Sequence, residues 1–217
     1  MIVQSLLGSI PALATTDTVA HALLRMAEEG VTHLPVVGLD GRLEAHVSEE
    51  ALRAYPDPAV SLGALLAGAP LSVTPDTHVF DAAHLMQQHG LGVLPVAAAD
   101  GTYVGAVERA EVFGKLAHML ATEEPGAIVV LDVDRRNFSL AQLAHLIEQN
   151  GVRVLSVSTE DDPGAGRVTV TLKLNVTDTA RVRHLMAHHD YHVTAVFDEA
   201  EDDLEARVAA FMRYLDV

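Results

Sequence analysis

The residues best placed for chemistry are histidines. The chain has 12, and His184 and His188 stand four apart, followed closely by His189 and His192. On a helix that spacing turns two imidazoles to one side, as two ligands of a single Zn²⁺ must be. The sequence secures no third ligand and contains no His-Glu-x-x-His pattern, so the group reads as a solvated helix face. Adjacent carboxylates occur at Asp161-Asp162 and Asp202-Asp203, in polar runs that read as solvated charge. The absence of cysteine removes thiolate catalysis, thiolate metal sites and disulfides. Nucleophile-elbow, phosphate-loop and dinucleotide-binding glycine patterns are missing too. The sequence therefore predicts no catalytic residue, no metal centre and no enzymatic role.

What the chain carries instead is a repeat. Val19 to Val47, moved along by sixty, falls on Val79 to Val107 with ten identical positions and no gap. Met26/Met86, Gly30/Gly90, Leu34-Pro35-Val36/Leu94-Pro95-Val96 and Asp40-Gly41/Asp100-Gly101 are among them. A unit this small cannot bury a good core alone, so two copies predict a pseudo-symmetric pair with ligands or partners in the clefts between them.

In the first copy, Val19, Ala22, Leu23 and Met26 keep helical spacing and Gly30 supplies the stop. A short strand, Leu34 to Val37, follows; its proline predicts an edge position or the first residues of the strand. Asp40-Gly41 is a hairpin signal leading into a strand over Arg42 to Val47, and Ser48 can cap a helix with Glu49 and Glu50 in its first turn. The second copy repeats this from Val79 to about Leu120. Glu123-Glu124-Pro125-Gly126 breaks the pattern and marks a domain boundary. The segments are thus 1–60, 61–124 and 125–217.

Beyond the break the grammar changes. A strand over Ala127 to Val133 precedes a helix opened by a capping-box pattern, Ser139 to Gln142, and closed by Gly151. Strands over Val152 to Thr159 and Arg167 to Val176, a helix from Asp178 and a strand over Tyr191 to Phe197 complete β-α-β-β-α-β, the ferredoxin-like unit. Leu204, Val208, Phe211 and Leu215 form one stripe of a last helix, predicted to dock on the body or on a second subunit. The fold class is α/β (α+β).

Net charge is −16, shared by both halves: residues 1–125 carry 5 basic and 15 acidic side chains, the remainder 9 and 15. Such a chain repels phosphate backbones and anionic membranes, so neither nucleic acid nor a membrane is an expected partner. No apolar run approaches the roughly 20 residues of a bilayer span, and the N-terminus lacks the charged start of a signal peptide. A cytoplasmic location is the expectation.

The paired Leu-Pro-Val and Asp-Gly signatures, each followed by strand and helix, resemble a tandem pair of CBS domains, a Bateman module. The C-terminal β-α-β-β-α-β resembles an ACT domain. The chain as a whole, from about residue 8 to 198, is similar to the bacterial acetoin-utilisation-like proteins that join a CBS pair to an ACT domain. The resemblance implies regulation, with adenosine nucleotides such as AMP or ATP, or S-adenosylmethionine, in two inter-repeat clefts. It also implies amino acids at ACT dimer interfaces and a homodimer acting on a regulated protein partner.

In such repeats a hydroxyl after the second strand meets phosphate and a carboxylate three residues on holds the ribose. Ser48 keeps the hydroxyl, but Ala51 takes the ribose position and offers no acceptor. In the second copy Glu111 can reach a ribose, while Glu108 replaces the hydroxyl. A carboxylate about 4 Å from a phosphate at an effective dielectric near 20 costs on the order of 4 kcal/mol before screening. Candidate cleft residues are therefore His33, Pro35 and Ser48, with Val93, Pro95, Glu108 and Glu111 in the second copy. In the ACT-like half the turn Asp134 to Ser139 lacks Pro-Gly; Arg136, Asn137 and Ser139 are its candidates, with helix capping the simpler role for Ser139. Two readings stand: a ligand sensor, or a ligand-free scaffold with degenerate clefts. A third is an accessory subunit of an enzyme.

Overall fold

Each copy of the repeat folds as it does because similar residues start and stop its elements. A two-residue strand β1 (Leu13–Ala14) is followed by α1 (Val19–Glu29), capped by the Thr18 hydroxyl accepting from the His21 amide and ended by Gly30 at φ +68°. Strand β2 (His33–Val37) and strand β3 (Leu43–Ser48) form an antiparallel hairpin through the Asp40-Gly41 turn. Ser48 accepts from the Ala51 amide and caps α2 (Glu49–Arg53). The second copy supplies α3 (Val79–His89), ended by Gly90 at φ +65°, then β4 (Val93–Ala97), β5 (Tyr103–Glu108) and α4 (Arg109–Met119). This is a computed structural model, and it describes residues 1–66 and 69–197. The chain divides into two compact units, Met1–Leu116 and Ala117–Val217.

The copies differ in two ways that the repeat does not announce. Helix α2 is one turn long where α4 has three, because Pro56 and Pro58 follow it and a residue before proline avoids the helical region. Pro35 also departs from expectation: it is buried as the third residue of β2, the middle strand of the order β1-β2-β3. Strand β1 pairs only with Val36 and Val37, so the proline nitrogen meets no strand on that side.

The two copies interlock through the segments that precede them. Val3 N donates to Thr77 O at 2.9 Å and Gly8 N to Ala106 O at 3.0 Å, placing the N-terminal segment on the second copy. Reciprocally, Val19 N donates to Val60 O and Gly63 N to Thr15 O, placing the connecting segment on the first. The Asp-Gly turns meet as well: Leu43 N donates to Gly101 O and Tyr103 N to Gly41 O, both at 3.0 Å. Val19, Ala22, Met26, Leu34 and Val36 fill one core, and Val79, Ala82, Met86, Leu94 and Val96 fill the matching positions of the other.

The C-terminal unit is a four-stranded antiparallel sheet of β6 (Ile128–Asp134), β7 (Val154–Asp162), β8 (Arg167–Leu174) and β9 (His192–Phe197), in the order β7-β8-β6-β9. Helix α5 (Leu140–Gln149) joins β6 to β7 and helix α6 (Ala180–His188) joins β8 to β9. That is the ferredoxin-like topology read from the sequence. The alternating Val168, Val170, Leu172 and Leu174 of β8 turn one face to Leu143 and Ile147 of α5 and Val182 and Met186 of α6. Asp178 lies just outside α6 and accepts from the Ala180 amide. The expected helix over Leu204 to Leu215 lies outside the described residues.

Gly126, just before β6, has φ +146°, and a Cβ there would run into the Leu174 carbonyl. Gly126→Ala is expected to destabilise the unit by roughly 1–3 kcal/mol, read as a fall of several degrees in its melting temperature; an unchanged melt contradicts the packing. Among the described residues the buried Tyr103 hydroxyl has no hydrogen-bond partner, and burial pushes its pKa up to about 12. Tyr103→Phe removes that unsatisfied group and should leave chemical-denaturation stability unchanged or raise it by about 1 kcal/mol.

Candidate functional site

Two adjoining hollows open on the first copy. One, of about 520 Å³, has a leucine wall of Leu52, Leu65, Leu66, Leu71 and Leu91. Its polar rim is His33, His46, Ser48, Tyr55 and His89. The other, of about 770 Å³, shares His33, Ser48 and His89 and adds Thr32, Glu49, Glu50 and Arg53. The groove is thus apolar at one end and polar at the other, with Ser48 and two imidazoles where the lobes meet.

Of the residues expected from sequence, His33 and Ser48 are brought together here, and Ala51 lines the first lobe as a methyl. The Ser48 hydroxyl already accepts from the Ala51 amide at 3.1 Å. Pro35, Val93 and Pro95 are buried strand residues and line neither lobe. Glu108 sits at the end of β5, and a Cβ on Gly8 would lie 3.8 Å from its carboxylate; Glu111 is exposed on α4. Leu7 packs against Gly105 in this second copy, on the strand positions that match Ala45 to Val47 of the first. Arg109, next to Glu108 in sequence, donates from its Nε to the Leu91 carbonyl at 2.9 Å.

Sequence reasoning missed His46, His89, Tyr55 and the leucine wall. His46 was in plain view beside Ser48, on the strand leading to it. His89 ends the helix of the other copy, and only the interlock of the repeats brings it to this groove.

The imidazoles here are electrostatically constrained. The His33 and His46 rings lie 6.4 Å apart, and Thr32 Oγ1 is 3.0 Å from His33 Nδ1. Burial, then the neighbouring His46 and Arg109, hold the His33 pKa below its ordinary value; burial and His89 do the same for His46. Both groups therefore resist protonation in the folded chain more than in the unfolded one. Above the ordinary histidine range both states are neutral and nothing changes with pH; as pH falls through it, the unfolded chain takes up protons first. Stability is thus expected to be flat above about pH 7 and to decline toward pH 5. Urea denaturation across that window checks this, and His33→Gln with His46→Gln should flatten the decline; an unchanged slope contradicts the assignment.

In the C-terminal unit a hollow of about 530 Å³ is lined by Asp132, Asp134, Asn137, Gln142, Arg167 and Tyr191, among others. Asn137 is the only one of the three expected turn residues lining it. Arg136 is exposed, its backbone amide donating to Asp134 Oδ1 at 2.8 Å. Ser139 caps α5, accepting from the Gln142 amide at 3.4 Å, as local capping predicts. Arg167 is held by Asp132 through Nε at 2.9 Å and a second nitrogen at 2.7 Å, and that pairing holds the Asp132 carboxyl below its usual range. The cation a ligand carboxylate would seek is thus already engaged. His184 and His188 are exposed on α6, and among the described residues no group of three or more His, Asp or Glu could hold a metal. No helix among them is long and apolar enough to cross a membrane.

Residues 8–56 and 64–118 match the family model of the CBS domain. A CBS domain pair/ACT domain protein from Thermotoga maritima aligns with a TM-score of 0.50 and 22% identity, over 54% of this chain and 98% of that one. A protein bearing an acetoin utilization name, from Vibrio cholerae, aligns with a TM-score of 0.50 and 24% identity, over 58% and 98%. At these identities the likeness is one of fold. The A-adding tRNA nucleotidyltransferase of Aquifex aeolicus is 30% identical over 99 residues, and the match spans 44% of this chain but 12% of that relative's length. The N-terminal part of this chain is a tandem CBS domain pair. CBS domain pairs act generally as regulatory ligand-binding modules.

Proposed function

We propose that the chain is a non-enzymatic regulatory protein that binds a small organic ligand in the groove of its first CBS repeat. The single observation that carries this is the groove itself, about 520 Å³ in its apolar lobe, within the range of roughly 300–1,000 Å³ typical of small-molecule sites. An adenosyl compound suits it: a planar ring fits the leucine wall, and polar groups meet the imidazoles and Ser48. AMP, ATP and S-adenosylmethionine are the candidates. The ACT-like unit is the less favoured site, since Asp132 engages Arg167 and leaves carboxylates facing the hollow.

Signalling in this reading is a population shift. A ligand that binds one arrangement of a homodimer better than another biases what a protein partner meets. Ala51 favours a second reading, a ligand-free scaffold, because a methyl cannot hold a ribose hydroxyl.

The two separate in a thermal-shift screen against AMP, ADP, ATP, S-adenosylmethionine, NAD and the amino acids. A ligand at 100 times its dissociation constant adds about 2.7 kcal/mol, a shift of several degrees in a chain this size. The expected result is a shift by an adenosyl ligand that Ala51→Trp, which fills the groove, abolishes and Asn137→Ala leaves intact. No shift across the panel supports the scaffold; a shift by an amino acid that Asn137→Ala removes moves sensing to the C-terminal unit.

A further inference from the structure

Three imidazoles from three elements converge on the first groove. His33 opens β2, His46 lies on the neighbouring β3, and His89 arrives from the end of α3 in the other repeat. All three line the apolar lobe, and His33 and His89 line the polar lobe as well.

The other charged groups around them are already engaged or of the wrong sign. On α2, Arg53 Nε donates to Glu49 at 2.9 Å, and Glu50 adds a second carboxylate. On α4, Arg109 is turned to the Leu91 carbonyl, though its charge still reaches His33. Tyr55 is the remaining titratable neighbour. Helix α2 is a single turn and too short to stabilise an anion through its dipole. Further positive charge for an anionic ligand is thus available at the imidazoles. Burial disfavours the charged forms of His33 and His46 in the empty groove, so they gain positive charge there by taking up a proton.

We propose that the first groove is a proton-linked site for an organic phosphate monoester, whose apolar body lies on the leucine wall and whose phosphate is met by His33, His46 and His89. The proposal rests on the ligand-binding reading above and adds the group that recognises the anion. Binding converts at least one neutral imidazole to imidazolium, with the proton drawn from solvent and none released. A charge-assisted N–H···O bond to phosphate then replaces an uncharged one. The same linkage makes the site respond to cellular pH: acidification raises occupancy at constant ligand concentration.

The test uses AMP as the anionic probe and adenosine as its neutral counterpart, titrated calorimetrically into the full chain between pH 6.0 and 8.0. The AMP phosphate itself titrates near pH 6, so the readout is the difference between wild type and the His33→Gln/His46→Gln variant. Wild type is expected to bind AMP about fivefold tighter at pH 6.5 than at 7.5, with net proton uptake seen as buffer-dependent heat. The variant should lose that gain, and adenosine should show none. His89→Gln, on a different element, provides a second variant should the double substitution fail to fold. In an NMR titration AMP should raise the pKa values of His33 and His46. AMP binding with the same pH dependence in wild type and variants overturns the proton-linked site and leaves the ligand-binding reading intact. Binding of neither probe at any pH overturns both.

Discussion

The reciprocal exchange of leading segments between the two repeats is the constraint on which the N-terminal unit depends. The residues before the first copy pair with the second, through Val3 to Thr77 and Gly8 to Ala106. Those before the second pair with the first, through Val60 and Thr15. Each copy's leading segment thus hydrogen-bonds to the other copy, and a unit this small cannot bury a good core alone. The paired Asp-Gly turns extend the same exchange, each amide serving the opposite turn. Because the copies are fixed to one another by backbone hydrogen bonds, the grooves between them have a defined shape.

That fixed pairing gives the matching strands of the two copies different surroundings. The strand positions match across the copies, yet in the second copy Leu7 and Gly8 lie along β5 and Glu108 ends it. In the first, His46 occupies the position that Ala106 holds in the second, and His89 faces it from the partner helix. Neighbouring imidazoles in a partly buried site favour their neutral forms, which keeps the empty groove from accumulating positive charge.

Much of the architecture was legible in the sequence, for identifiable reasons. Gly30 and Gly90 mark helix ends because only a residue without Cβ takes their positive φ at no cost, and the alternating run of β8 reports a half-buried strand. The ferredoxin-like order followed from elements strong enough to read one by one. Less legible were features set by tertiary position. Pro35 sits in a middle strand because β1 stops short beside it, which no local pattern encodes. The groove was half-visible: His33 and Ser48 stand where the repeat predicts, whereas His89 is 56 positions from His33 and joins it only through the interlock. The second copy's Glu108 and Glu111, expected in the other cleft, are not among the residues lining the first groove.

The central claim is that the first groove, and not the second or the C-terminal hollow, receives a small ligand. Amide and methyl chemical-shift mapping of the labelled full chain with AMP tests it most directly, because every candidate site is seen at once. The account predicts perturbations grouped at Ala45, Ser48, Tyr55, Leu66 and Leu91, with the matching strand at Gly105 to Val107 unmoved. Shifts grouped instead around Asn137 and Tyr191, or along β5, would contradict it.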